Sequence, residues 1–101
     1  MNERKNLPVF NGVLKYFPLA LLEVSKVSKS GNDQHHPGEE LWWDKSKSIG
    51  TGDEAIRHLL DWGRGIEYDT DGVRHLAKFV WRSLELLERE LENYEKKITT
   101  K

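Results

Sequence analysis

The stretch DGVRHLAKFVWRSLELLERELENYEKK (residues 71–97) decides the fold class of this chain. Apolar residues recur in it every three or four positions, which is the spacing of one face of an α-helix. This seam consists of Val73, Leu76, Ala77, Val80, Leu84, Leu87 and Leu91. Asp71 stands where its side chain could cap the start, so the sequence predicts a helix from about Asp71 to about Lys97.

A second apolar face lies on the other side of the same predicted helix. At about 100° per residue, His75, Phe79 and Leu86 fall opposite the seam. A long helix that is apolar on two sides needs two partners, and a three-helix chain supplies few. The pattern therefore predicts a homo-oligomer in which this second face packs on a neighbouring copy.

An earlier helix is predicted over about Pro18 to Ser30. Proline suits the first turn because its missing N–H has no intrahelical partner there, and apolar residues follow at helical spacing. Gly31 and Asn32 provide a stop signal. The next segment, residues 31–52, loses periodicity but contains the adjacent Trp42 and Trp43, which indicates a functional loop.

The middle helix is predicted from about Asp53 to Trp62, with Thr51 as a candidate N-cap. Its predicted inward stripe consists of Ile56, Leu59 and Leu60. The expected fold is an all-α, three-helix single domain over residues 1–101, with a long loop after the first helix and a long C-terminal helix. Residues 1–13 would form an N-terminal arm, and residues 88–101 the charged end of the last helix.

Composition excludes several classes of protein. The 101 residues contain no cysteine, which excludes disulfides and thiolate metal sites. A net charge of −1 removes the bulk attraction that drives binding to long nucleic acids. The polar N-terminus has no apolar run of the kind found in signal peptides and membrane spans, so we expect a cytoplasmic protein without membrane partners.

A basic and aromatic strip runs between the two apolar faces of the last helix. It consists of Arg74, Lys78, Trp81 and Arg82. Cations beside an indole suit a phosphorylated aromatic ligand, through charge pairing and stacking. A solvated basic strip with a tryptophan at its edge is the alternative.

Two Arg-His pairs, Arg57-His58 and Arg74-His75, accompany this strip. The arginines are candidate phosphate partners, and the histidines are candidate donors or partly buried, hydrogen-bonded residues. A metal site formed by both histidines with Asp69 or Asp71 is the alternative. The full set of predicted ligand-binding residues is Trp43, Lys45, Lys47, Arg57, His58, Arg74, His75, Lys78, Trp81 and Arg82.

No complete catalytic motif is present. The chain has no P-loop, no His-Glu-x-x-His and no nucleophile elbow. The glutamates of Glu85-x-x-Glu88 and Glu92-x-x-Glu95 stand at helical spacing from Arg89, Lys96 and Lys97, which favours a solvated, ion-paired face. The motifs thus predict neither catalytic residues nor a cofactor.

Four strings in order resemble a known family: LKYFP (14–18), ALLEVSKV (20–27), AIRHL (55–59) and DGVRHLAK (71–78). The chain is similar, over about Gly12 to Glu88, to the phage-borne dATP/dGTP diphosphohydrolase N-terminal domain family. The family pattern often reads Gly-Leu-x-His-Leu-Ala-His, and Lys78 stands where its last histidine would be. The resemblance implies a nucleotide site, whereas Lys78 puts hydrolysis in doubt.

The favoured interpretation is a phage-type protein that binds a small linear or cyclic nucleotide, a defence signal, and sequesters it without hydrolysis. The alternative implied by the family is a purine dNTP diphosphohydrolase dependent on Mg²⁺ or Mn²⁺, with His58, Asp69, Asp71 and His75 at its centre. A third interpretation is a helical protein-interaction module that uses Trp42, Trp43 and the second face of the long helix.

Overall fold

The computed structural model describes residues 2–47 and 49–99, without the side chains of Asn2, Lys47 and Thr99. Four α-helices are present: α1 (Val9–Gly12), α2 (Pro18–His35), α3 (Thr51–Gly63) and α4 (His75–Thr99). Short 3-10 turns cover Asn2–Asn6, Leu14–Tyr16 and Lys45–Lys47. The described residues contain no strand, only an isolated bridge between Tyr68 and Arg74. The predicted all-α class is confirmed.

Helix α2 is longer than the sequence predicted. Gly31 and Asn32 lie within the helix, which ends at His35, so the predicted stop after Ser30 is wrong. The Asn32 side chain is buried and fastens the following loop: its Nδ2 donates to the Glu39 carbonyl, and its Oδ1 accepts from the Trp42 N–H. These tertiary hydrogen bonds outweigh the weak helix propensity of the Gly-Asn pair. The irregular segment is therefore residues 36–50 rather than 31–52.

Two predicted helix starts also shift. The N-cap of α3 is Gly50, in the left-handed conformation at φ 75°, and Thr51 is the buried first residue of the helix rather than its cap. Helix α4 begins at His75 instead of Asp71. Asp71 accepts a hydrogen bond from the Val73 N–H and so closes the turn before the helix, while Gly72 takes a positive φ of 82° there.

Helices α3 and α4 pack along each other, and α2 packs on α4. The face of α4 turned toward the interior is the polar strip, with Lys78, Trp81 and Arg82 partly buried and Glu85 only 3% exposed. The predicted solvated face is thus wrong for Glu85. His75 is buried within the chain and does not reach a neighbouring copy, whereas Leu86 of the same predicted face is exposed. Packing of this second face on a neighbouring copy stays a prediction.

The predicted apolar seam of α4 lies on the outside. Leu76, Val80, Leu84, Leu87 and Leu91 are all exposed, and so are Ile56 and Leu60 of the predicted α3 stripe. Among the described residues the buried apolar side chains are Val24, Ala55 and two members of the predicted seam, Val73 and Ala77. A helix normally turns its apolar side inward, so the reversal indicates that the interior of this chain is shaped by a polar site. Among the described residues, no helix combines the length and apolar composition needed to cross a bilayer.

Candidate functional site

A pocket of about 460 Å³ opens between the end of α2, the 36–50 loop, α3 and α4. Its volume is within the range of small-molecule sites. Six of the ten predicted ligand-binding residues line it: Trp43, Arg57, His58, Lys78, Trp81 and Arg82. The pocket is where the polar strip of α4 meets the charged side of α3.

The histidines of the two Arg-His pairs meet beside this pocket. His58 on α3 and His75 at the start of α4 are buried, with their Nδ1 atoms 2.9 Å apart. Burial lowers the pKa of His58, and the charges of Lys78 and His75 lower it further, so His58 is neutral at pH 7. The Asp61 carboxylate lies 3.8 Å from Nε2 of His75, which leaves Nδ1 as the nitrogen that faces His58.

Asp69 completes a cluster that could hold a metal ion. One ligand atom each from His58, Asp69 and His75 lie within 4.8 Å of one another. Two nitrogens bound to one ion at about 2.1 Å lie roughly 3.0–3.4 Å apart at usual coordination angles, close to the separation of the two imidazoles. Two imidazoles and one carboxylate suit Mn²⁺ or another transition ion better than Mg²⁺, which prefers oxygen ligands. The donor set fits one divalent ion.

Lys78 lies between two carboxylates at the edge of this cluster. Its Nζ donates to Asp69 Oδ2 and to Asp71 Oδ2, each at 2.7 Å. Burial alone would raise the pKa of Asp69, but the hydrogen bonds from Lys78 and the Thr70 N–H lower that pKa to about 2. Burial opposes the charge of Lys78, but the two carboxylates raise its pKa. The lysine therefore supplies a fixed positive charge beside the metal-capable cluster.

Arg82 performs a similar pairing one helical turn further along α4. Its guanidinium contacts Glu54 Oε2 on α3 and Glu85 Oε1 on α4, both at 2.7 Å. Glu85 also accepts a hydrogen bond of 3.2 Å from the Trp43 indole. The buried carboxylate thus joins the 36–50 loop to α4, and Arg82 extends the connection to Glu54 of α3.

The tryptophans form the aromatic part of the pocket. The rings of Trp43 and Trp81 lie 6.4 Å apart and nearly perpendicular, and Lys45 lies over Trp43 at 5.0 Å. Lys45 itself pairs with Glu92, and its carbonyl accepts a hydrogen bond from Arg89. Lys45 therefore anchors the loop to α4 and does not line the pocket.

Arg57 and Arg74 point to different parts of the molecule, although the adjacent histidines are in contact. Arg57 lines the pocket and makes no hydrogen bond or ion pair within the part of the chain that the structure describes. Arg74 points elsewhere, pairs with Glu67 and Glu23, and lies over the Tyr68 ring at 4.7 Å. Arg57 is thus a cation at the pocket without an ion pair among the described residues, whereas Arg74 lies outside the pocket. The side chain of Lys47 lies outside the described residues.

Sequence reasoning missed several residues that line the pocket. Glu54 and Glu85 are partners of Arg82, and Glu85 could have been found because it lies on the same helical face as Lys78 and Arg82. His36 and Trp42 also line the pocket. Nothing in the local sequence distinguishes His36 from His35, because the difference arises from the loop folding back on α2.

Comparison with known proteins gives a family for this arrangement. No curated protein and no solved structure matches the chain. A family model described as dATP/dGTP diphosphohydrolase, N-terminal, matches residues 3–99, which include all three helices that form the pocket. The chain belongs to the dATP/dGTP diphosphohydrolase, N-terminal, family.

Proposed function

We propose that this chain is a metal-dependent nucleotide diphosphohydrolase that acts on purine deoxynucleoside triphosphates in the pocket between α2, α3 and α4. The observation that carries the proposal is the cluster of His58, Asp69 and His75, whose ligand atoms converge beside the pocket. The family description supports the substrate class. Together they favour the hydrolase over the other interpretations of the sequence.

The residues of the site would have different roles, according to their chemistry. His58, Asp69 and His75 would hold one divalent ion, which supplies charge neutralisation and an acidified water for attack on a phosphoryl group. Arg57 lines the pocket, has no ion pair among the described residues and would bind the phosphates directly. The Asp61 carboxylate beside His75 would keep that imidazole oriented toward the ion.

Diphosphate release from dATP and dGTP, measured with Mn²⁺ and separately with Mg²⁺, tests the proposal. His58→Ala, His75→Ala and Asp69→Asn should each abolish release and weaken Mn²⁺ binding. Asp33→Asn is the matched control, because it neutralises an exposed carboxylate of α2 that lies outside both the cluster and the pocket. The absence of diphosphate release with either ion would exclude the hydrolase.

Binding without turnover is the second candidate function, and Lys78 is the observation that favours it. Its ammonium group already occupies the space between Asp69 and Asp71, where it opposes a nearby divalent ion. In that case the chain would bind and sequester a linear or cyclic nucleotide. Calorimetry with dATP, dGTP and cyclic dinucleotides in EDTA, followed by recovery of the ligand after heating, distinguishes the two functions. Tight binding with intact ligand supports sequestration, and absence of binding excludes it.

We also propose that the chain self-associates through the exposed seam of α4. The chain exposes 8274 Å², whereas a compact monomer of 11.8 kDa should expose about 5,900 Å². Its radius of gyration of 15.7 Å likewise exceeds the value of about 13 Å for a compact domain of this length. The excess is of the size that stable dimers bury, and a second copy offers an identical apolar seam. A monomer by light scattering at micromolar concentration would overturn this proposal.

A further inference from the structure

His36 is the one buried side chain of the described residues whose polar atoms have no hydrogen-bond partner. The residue is 8% exposed, and neither Nδ1 nor Nε2 contacts a donor or an acceptor. Buried polar atoms are nearly always paired, because leaving them unpaired costs stability. Such an exception at the wall of a pocket indicates that a ligand supplies the missing partner.

Specific hydrogen bonds hold His36 and its neighbours in place. It follows directly after α2, and its N–H donates to the Asn32 carbonyl. The Asn32 side chain holds the loop at Glu39 and Trp42, and this places the Trp42 ring 4.2 Å from the imidazole at a steep angle. Two hydrogen bonds from one buried amide therefore fix the pair of His36 and Trp42 at the pocket wall.

The pocket combines two kinds of side chain. One group is charged and contains the cations Arg57, Lys78 and Arg82 together with five carboxylates, one of which, Asp69, belongs to the metal-capable cluster. The other group is aromatic and includes His36, Trp42, Trp43 and Trp81. A nucleotide has the same division into an anionic phosphate chain and an aromatic base. Stacking on indoles does not distinguish bases, since every base has a π-face, so base selectivity requires a hydrogen-bonding group.

We propose that His36, paired with Trp42, recognises the base of the bound nucleotide and selects purines over pyrimidines. A purine presents N7, an acceptor that pyrimidines lack, and an imidazole N–H can donate to it. Trp42 is half exposed, so its indole can contact a bound base beside the imidazole. This inference rests on the proposed nucleotide pocket and adds a residue with a defined role to it.

The test uses His36→Phe, which keeps a ring and removes both nitrogens, with Tyr94→Phe, at an exposed ring of α4 outside the pocket, as the control. Affinities are measured by calorimetry with Mn²⁺ for the α,β-methylene analogues of dATP and dCTP and for inorganic tripolyphosphate. In the wild type the dATP analogue should bind more tightly than the dCTP analogue. His36→Phe should reduce this preference by about fivefold to tenfold, the effect of one hydrogen bond. Affinity for tripolyphosphate should not change.

Thermal unfolding without ligand provides an independent measurement. Because the nitrogens of His36 are unpaired, replacing the ring with phenylalanine should leave the melting temperature equal or higher. An unchanged base preference, or a marked loss of stability, would overturn the role of His36 alone. Binding of nucleotides without hydrolysis would overturn the hydrolase and not this inference, whereas a wild type that binds no nucleotide would overturn both.

Discussion

The two sides of helix α4 contrast sharply. On the pocket side, His75 and Glu85 are buried, and Lys78 and Arg82 each pair with two carboxylates. On the opposite side, an apolar seam of helical spacing is exposed along the helix. Amphipathicity therefore identifies a helix and its faces, but it does not decide which face lies inside when the interior holds a polar site.

The largest effect is expected from charges placed in the seam. Leu84→Asp with Leu87→Asp would bury two carboxylates in the proposed interface and remove two apolar side chains, at a cost of about 4 kcal/mol or more to association. The variant should be monomeric by light scattering, whereas Asn93→Asp, an exposed change outside the seam, should keep the oligomer. Equal oligomeric states for both variants would show that the seam is not the interface.

On the pocket side, the largest effect is expected at Glu85. Glu85→Ala leaves the Arg82 guanidinium and the Trp43 indole without their shared acceptor. Loss of one partner from a buried charge pair typically costs about 3–5 kcal/mol, and urea unfolding should show a loss near the lower end, because Glu54 still pairs with Arg82. Glu88→Ala, at an exposed position on the same helix, should change stability by less than about 0.5 kcal/mol. A similarly small change in the free energy of unfolding for both variants would show that the buried carboxylate does not stabilise the fold.

A smaller, pH-dependent effect is expected from Lys78→Met. The paired Asp69 has its pKa lowered from the ordinary 3.8 to about 2 in the folded chain, so this pairing stabilises the fold above about pH 4. That stabilisation is lost as the pH falls from about 4 to about 2. Without Lys78 the pKa of Asp69 rises, and the urea midpoint should depend less on pH across this window than in the wild type. Lys29→Met, which removes an exposed lysine of α2, is the control and should retain the wild-type profile.

The smallest effect on stability is expected at Arg57. It is exposed and makes no hydrogen bond or ion pair among the described residues, so Arg57→Ala should change the free energy of unfolding by less than about 0.5 kcal/mol. The affinity of the Arg57→Ala variant for tripolyphosphate in the presence of Mn²⁺ should nevertheless fall about tenfold, because a charge-assisted contact is lost. Arg64→Ala, just after α3, should leave that affinity unchanged. Unchanged binding in Arg57→Ala would remove this arginine from the site.

The sequence predicted much of the architecture. Apolar spacing gave the helical segments and the all-α class, and Pro18 marked the start of α2 correctly. The errors lie where tertiary contacts override local signals. Asn32 continues α2 because its side chain bonds with the loop, and Ile56 is exposed because the buried positions of α3 belong to Ala55 and His58.

The sequence predicted which residues gather at the site better than it predicted which of them pair with each other. His58, Lys78 and Arg82 were expected in one cluster, and they line one pocket. Two of their pairs, Lys78 with Asp69 and Arg82 with Glu54, could not be predicted, because the members come from different segments that only packing brings together. Glu85, in contrast, lies three residues from Arg82 on the same helix. Arg74 lies outside this pocket, since adjacent residues leave a helix start in different directions.

The sequence by itself determined the helices and the inventory of cations, histidines and tryptophans, because spacing and residue type are local properties. The tertiary structure alone decided that the polar side of α4 faces inward, that Lys78 lies between Asp69 and Asp71, and that both nitrogens of His36 are unpaired. These features arise only when the three helices and the 36–50 loop pack together. The free energy of each polar contact there depends on neighbours that are distant in sequence.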